Sequence, residues 1–318
     1  MKILGLIFGL CLGYGSILYA QIMPQTSFKV SGGVTDIVIV DETMYVGTNA
    51  SSVDIINLNT KAIEQKIKLP QIKDFMGDII DSKVYSVDVL GKHILILSQD
   101  EKGYRKIDLY NGERIETILD AKDRMYIAKA KFLDKENIIF ALLSNEIISY
   151  NIKDKKENWH EQVAFSKFSD FVMDEKKQTI IIADESGNLK LLDLKSGKLV
   201  KTLRDQNLDN VFQVDIKNNI IATAGQDRKV ILYNQNTNTV SHLTSGFLIY
   251  SVGLSPSGNI VAYSCDEASN VAVHKTNTLS KIGIFSGSKM TLSKILFKNE
   301  KEFFVGSDSP EVLYYKLK

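Results

Sequence analysis

Cysteine is nearly absent: the chain carries only Cys11 and Cys265. Cys11 lies in an N-terminal leader, so the remainder has one thiol and cannot form an intrachain disulfide. The four histidines, His93, His160, His242 and His274, stand far apart with no metal-ligand spacing and no cysteine beside them. They read as unrelated surface or strand-end residues, because a zinc site needs three or four converging ligands. No G-x-S-x-G elbow, P-loop, haem-attachment motif or EF-hand loop occurs. Charge of one sign is also lacking: 39 basic residues face 38 acidic ones, and loss of Lys2 makes them equal. Nucleic-acid binding through clustered Lys and Arg is therefore not expected. After residue 20 no apolar run reaches the length of a spanning helix. The fold has to be held by its apolar core alone.

The leader is residues 1–20, MKILGLIFGLCLGYGSILYA, with Lys2 followed by eighteen uncharged residues and a small residue at Ala20. It reads as a secretory signal peptide cleaved before Gln21, which places the product in the periplasm. Retention as an anchor stays open because Leu18 is a mediocre residue at its place near the cut. A lipoprotein signal is disfavoured, since Leu10 precedes Cys11 where a small residue is needed.

What the rest of the chain does have is a repeat. Residues 170–202, DFVMDEKKQTIIIADESGNLKLLDLKSGKLVKT, read as four short antiparallel strands separated by polar turns that contain Gly187 and Gly197. The polar residue closing the third strand, Asp193, has counterparts at Asn57, Asp108, Asn151, Asn234, Lys275 and Lys316. Successive separations of 51, 43, 42, 41, 41 and 41 residues define seven four-stranded units. That period predicts an all-β, seven-bladed β-propeller spanning residues 21–318 as one domain. The last unit runs out of chain after its third strand. SFKVS at 27–31 precedes the first complete unit without a partner. It is expected to supply the missing fourth strand and close the ring, covering an otherwise exposed edge.

MYVGTN at 44–49 followed by SVDIINLNT at 52–60 resembles the YVTN-type repeat of secreted bacterial propellers. The third-strand endings ILYN (231–234) and LLDL (191–194) resemble the closing region of WD40 repeats. The likeness covers nearly the whole chain after the leader at the level of repeat architecture. It departs from WD40 repeats in lacking the Gly-His pair and in placing its one tryptophan, Trp159, outside the closing dipeptides. A single tryptophan also argues against quinone-cofactor propellers. With the leader, the length and the degenerate repeats, the chain resembles the NapL-type accessory proteins of the periplasmic nitrate reductase system. That resemblance implies a supporting part in nitrate respiration or reductase maturation, a periplasmic protein partner, and no cofactor of its own.

Aligned first strands put Asp36, Ser86, Lys129, Asp170, Gln213, Ser251 and Ser293 near the propeller axis. They are expected to be polar strand ends facing solvent, with Asp36 and Asp170 structural or solvated and not catalytic. The competing reading makes Asp36 and Asp170 the carboxylates of a metal-dependent, lactonase-like hydrolase with its active site at the channel mouth. Cys265 reads as a small buried residue at a strand end, with no neighbouring histidine to make it a nucleophile. Tyr85, Phe212 and Tyr250 stand just before the axis positions and either anchor a partner or pack between blades. An insertion at 71–83, between units one and two, carries Phe75, Met76, Ile79 and Ile80. These four either form an apolar docking patch or fold inward as a plug. Beside them, turns bearing Asp100, Glu101, Asp184, Glu185, Asp227, Asp266, Glu267 and Asp308 are expected to form an acidic rim. The function expected is that of a non-catalytic, monomeric scaffold or accessory protein.

Overall fold

A computed structural model describes residues 21–318; the signal-peptide reading of 1–20 falls outside the described residues. The chain folds into seven antiparallel blades of four strands each, arranged as a propeller. The inner strands are Val34–Val40, Val84–Leu90, Ile127–Phe132, Phe168–Met173, Val211–Lys217, Val252–Leu254 and Leu292–Phe297. Each touches the next around the ring, and the seventh touches the first. No helix among the described residues is long and apolar enough to cross a membrane.

Burial follows strand position. The middle strands are sandwiched between neighbouring blades, so runs such as Thr179–Asp184 are apolar on both faces and buried throughout. The outer strands face water on one side, and Lys156–Gln162 buries almost nothing. The core is therefore a set of clusters between adjacent blades. One joins Leu95, Leu97 and Ile107 of blade 2 to Ala130, Phe132 and Phe140 of blade 3.

The seam is closed by the N-terminal strand. Thr26–Lys29 pairs antiparallel with Glu311–Lys316, Ser27 facing Leu313 and Phe28 facing Val312. Phe28 is buried in a cluster with Phe304 and Val312 of blade 7 and Ile37, Met44 and Ile56 of blade 1. Close approach there needs glycine. A Cβ on Gly306 of blade 7 would sit 2.5 Å from Val34 Cγ1 of blade 1. One element has no counterpart in the repeat: Gln21–Ile22 adds as a fifth, parallel strand to the outer edge of blade 6, against Lys281–Phe285. Two residues carry no periodicity from which to read it.

The repeat register in blade 2 needs correcting. In other blades the third-strand closing residue faces the first residue of the second strand: Asn57 faces Thr43, and Asp193 faces Thr179. In blade 2, Ile94 faces Tyr110, so His93 falls opposite Asn111 rather than Asp108. Asn111 also does the closing residue's work. Its Oδ1 accepts from the backbone of Glu113 and Arg114, as Asn57 does from Asn59 and Thr60. Asp108 instead lies buried within its strand and accepts from Thr117 Oγ1.

Because Phe28 is the side chain through which the closing strand enters the core, Phe28→Ala is expected to cost about 3–5 kcal/mol, measured by urea unfolding. A chain beginning at Val34 should aggregate or melt far lower. A loss below about 1 kcal/mol for Phe28→Ala would show that the ring does not depend on this strand.

Candidate functional site

The axis end of the inner strands is shaped by one repeated backbone irregularity. In six blades the pairing of first and second strands slips by one residue near the start of the inner strand. The extra residues are Thr35, Tyr85, Ala128, Ser169, Phe212 and Ser293. Such bulges re-aim the side chains that follow, here Asp36, Ser86, Lys129, Asp170, Gln213 and Lys294. These twelve residues line a polar cavity of about 150 Å³ at the axis. The axis residue of blade 7 is thus Lys294, and Ser293 is the bulge residue before it. The sequence carried the signal: apolar-x-polar-apolar recurs as VTDI, VYSV, IAKA, FSDF, VFQV and LSKI. Ser251 does not line the cavity; its Oγ donates to Gln213 Oε1 at 2.9 Å.

Of the two expectations for Asp36 and Asp170, structural or solvated, the structural one describes them. Asp36 is buried, and its Oδ2 accepts from the Val87 amide of the next blade at 3.0 Å and from Lys131 Nζ at 3.2 Å. Lys294 Nζ stands 3.7 Å from its other oxygen. Asp170 accepts from Lys129 Nζ at 2.6 Å and from the Val214 amide of the next blade at 3.1 Å. Sequence position showed where these carboxylates stand but not that lysines from adjacent strands would reach them. Asp88 and Asp215 repeat the clasp one turn of the pleat deeper, accepting from the amides of Phe132 and Leu254 at 2.7 and 2.9 Å. Carboxylates thus tie neighbouring inner strands together in four places. Lys131, Asp88 and Asp215 were not singled out from sequence, because each falls two residues past its blade's aligned axis position.

The charges are strongly coupled. Burial alone would raise the Asp36 carboxyl, but Lys131, Lys294 and Lys129 outweigh it and bring it down to about 2. Burial lowers Lys129 despite Asp170. For Lys131, the carboxylates of Asp36 and Asp88 overcome burial and the ammonium is held above its usual range. Gln213 adds a cross-link by donating across blade 6 to the Ser293 carbonyl at 2.7 Å. The metal-hydrolase reading needs Asp36 and Asp170 as free ligands, and here each is engaged by ammonium and amide donors. Among the described residues, no three His, Cys, Asp or Glu side chains converge so as to hold a metal.

The aromatics divide. Tyr85 and Phe212 line the cavity, with the Arg105 guanidinium 3.5 Å over the Tyr85 ring. Tyr250 lies outside it and stacks on Phe212 at 5.3 Å. The insertion does not fold inward. It forms a small hairpin pairing Ile72–Lys73 with Ile79–Ile80, its turn organised by Asp74 Oδ1, which accepts from the amides of Met76 and Asp78. Phe75, Met76 and Ile79 are 86%, 73% and 69% exposed; Ile80 is half-buried. Four other exposed apolar side chains sit on the corresponding connections between later blades: Tyr126, Phe165, Leu208 and Met290. In a four-stranded antiparallel blade, these connections emerge at the end where the inner strands begin, the end onto which the cavity opens.

The acidic rim is smaller than expected. Asp184 is fully buried, bonded to Lys190 and Asn145. Asp100, Asp227 and Asp266 hold turn backbones, which leaves Glu101, Glu185, Glu267 and Asp308 exposed. His274 is likewise not a surface residue. It is buried, stacked on Tyr263 at 5.6 Å, and pushed by burial, with Lys281 adding, down to about 4. Cys265 lies half-buried in the loop just after Ile260–Ser264, and burial pushes its thiol up to about 12, far from a nucleophile's range.

Comparison with family models finds no match, and neither does comparison with curated proteins. Among solved structures, the chain is similar to the β-propeller domain of Cps50 (Swd1) from Myceliophteria thermophila. The TM-score is 0.74 at 12% identity, over 93% of this chain and 99% of that one. The likeness is one of fold.

The depressed Asp36 carboxyl gives a pH test. Its contribution is fully present above the ordinary value of 3.8 and is lost as pH falls toward about 2. Unfolding free energy should therefore drop by about 2 kcal/mol over that window on account of this group. Asp36→Asn should cost about 3–5 kcal/mol at neutral pH, since it strands buried ammonium groups, and should remove that part of the acid dependence. Parallel pH profiles for the two proteins would contradict the assignment.

Proposed function

We propose that the chain is a non-catalytic β-propeller scaffold that docks another protein on the end where the blade-to-blade connections emerge. The observation that carries this reading is the gathering of exposed apolar tips there. Phe165 is 99% and Leu208 76% exposed, on the connections into blades 4 and 5, and they accompany the hairpin tip of Phe75, Met76 and Ile79. Large apolar side chains held out on a rigid frame cost solvation and contribute nothing to this fold, which is the signature of a contact surface. Recognition residues of this kind supply affinity, and the surrounding charges supply orientation. Export through the leader and the resemblance to NapL-type proteins extend the proposal to a periplasmic client, a component of a nitrate reductase system.

Replacing Phe75 and Met76 together with Ser should abolish capture of that client while the melting temperature stays put, because both side chains are exposed and such changes shift stability by about 0.5 kcal/mol or less. Preserved capture with lowered melting would make the hairpin a structural element and remove the docking proposal.

A further inference from the structure

The cavity at the axis is lined by two carboxylates, Asp36 and Asp170, and two ammonium groups, Lys129 and Lys294. Hydrogen bonding separates them. The Asp36 oxygens accept from the amides of Ile37 and Val87 and from Lys131. Those of Asp170 accept from Lys129 and the Val214 amide. Lys129 donates to Asp170 and to the Phe171 carbonyl at 2.7 Å. Lys294 differs. It forms an ion pair with Asp36 Oδ1 at 3.7 Å, longer than a hydrogen bond, and its side chain is 27% exposed. On the same bulge, Ser293 Oγ is buried without a partner, a state that costs about 1–3 kcal/mol. Thr35 Oγ1, on the cavity wall, is likewise buried without a partner. The open capacity of this polar cavity is thus one ammonium and two hydroxyls, all able to donate, and a metal ion would have to displace lysines from both carboxylates.

We propose that the cavity is an anion site, taking one carboxylate or small oxyanion with Lys294 as its charged donor. The volume of about 150 Å³ admits a group of that size with a few waters. Such a donor is worth most where water is scarce. The aromatic walls of Tyr85 and Phe212, the first held by Arg105 and the second by Tyr250, limit solvent at the sides. The carboxylate can be a free small molecule or a side chain presented by a bound protein, and both use the same chemistry. The site is testable on the purified chain alone, so it stands or falls apart from the docking proposal.

The experiment is calorimetric titration at low ionic strength with two probes, acetate and a glutamate residue blocked at both termini, on the wild-type chain, Lys294→Gln and Lys294→Arg. Saturable binding with Kd no weaker than about 10 mM, lost at least tenfold in Lys294→Gln and kept within threefold in Lys294→Arg, supports the site. Binding of acetate identifies a free anion as sufficient, and binding of the blocked glutamate alone identifies a chain-borne carboxylate. Lys294→Gln should stay folded with a modest loss of melting temperature, since Lys294 helps hold the Asp36 carboxylate and Lys131 remains paired with it; circular dichroism checks the fold. Absence of saturable binding by either probe, or equal binding by Lys294→Gln, overturns the proposal.

Discussion

Closure of the ring is the constraint on which everything else in this molecule rests. Every blade is a sheet with two apolar faces, and each face is buried only because another blade stands against it. A ring with one open seam would leave two such faces, and a row of unpaired backbone groups along Glu311–Lys316, to water. Among the described residues no disulfide holds the seam. It is joined instead by four residues of strand pairing and by Phe28, around which blades 7 and 1 meet. Gly306 serves the same end at this junction, since a side chain there would collide with Val34, and Gly47 does so between blades 1 and 2, where a side chain would meet Val84 and Val87.

Closure also explains the chemistry of the axis. Bringing seven inner strands around one axis crowds their first residues, and the bulges turn polar side chains into that space. Buried ions of this kind seldom add net stability over an apolar core. What they do add is position: each carboxylate clasps an amide of the next blade, and each lysine reaches a carbonyl or carboxylate on another strand. The result is a cross-linked axis around one small polar cavity, and a rigid frame from which the connections project. A rigid frame cross-linked at its centre suits a surface that presents fixed contact points. The apolar tips on the connections fit that arrangement, because a loop that need not pack inward is free to carry Phe75, Phe165 and Leu208 outward.

Much of the fold was legible because it is repetitive. Apolar runs broken by turns at a period near 42 residues specify blade number, and an unpartnered SFKVS beside a three-stranded last unit specifies closure. The errors came where one residue of register decides chemistry. Reading Asp108 as a closing residue was natural in YRKIDLYN, where two polar residues compete, and only backbone pairing selects Asn111. Taking Ser293 instead of Lys294 came from aligning strand starts without counting the bulge, and it hid a charge at the centre of the site. The aspartates were placed correctly along the strand, but the choice between a structural and a solvated carboxylate stayed open. Burial at an axis depends on what arrives from other blades, and Lys131 lies 95 residues from its partner Asp36. The turn acids were misread for a related reason. A carboxylate in a tight turn is used first by its own backbone, as Asp74 and Asp184 are.

The central claim, that one end of the propeller is the working surface, is tested most directly by site-specific photocrosslinking in the living cell. A photoreactive residue would be placed singly at Phe75, Phe165 and Leu208, and at Val40, the last residue of the inner strand of blade 1, at the opposite end. The account predicts that the three connection sites yield an adduct to one and the same protein and that position 40 yields none. Adducts of equal strength from position 40, or none from the three connection sites, would contradict it.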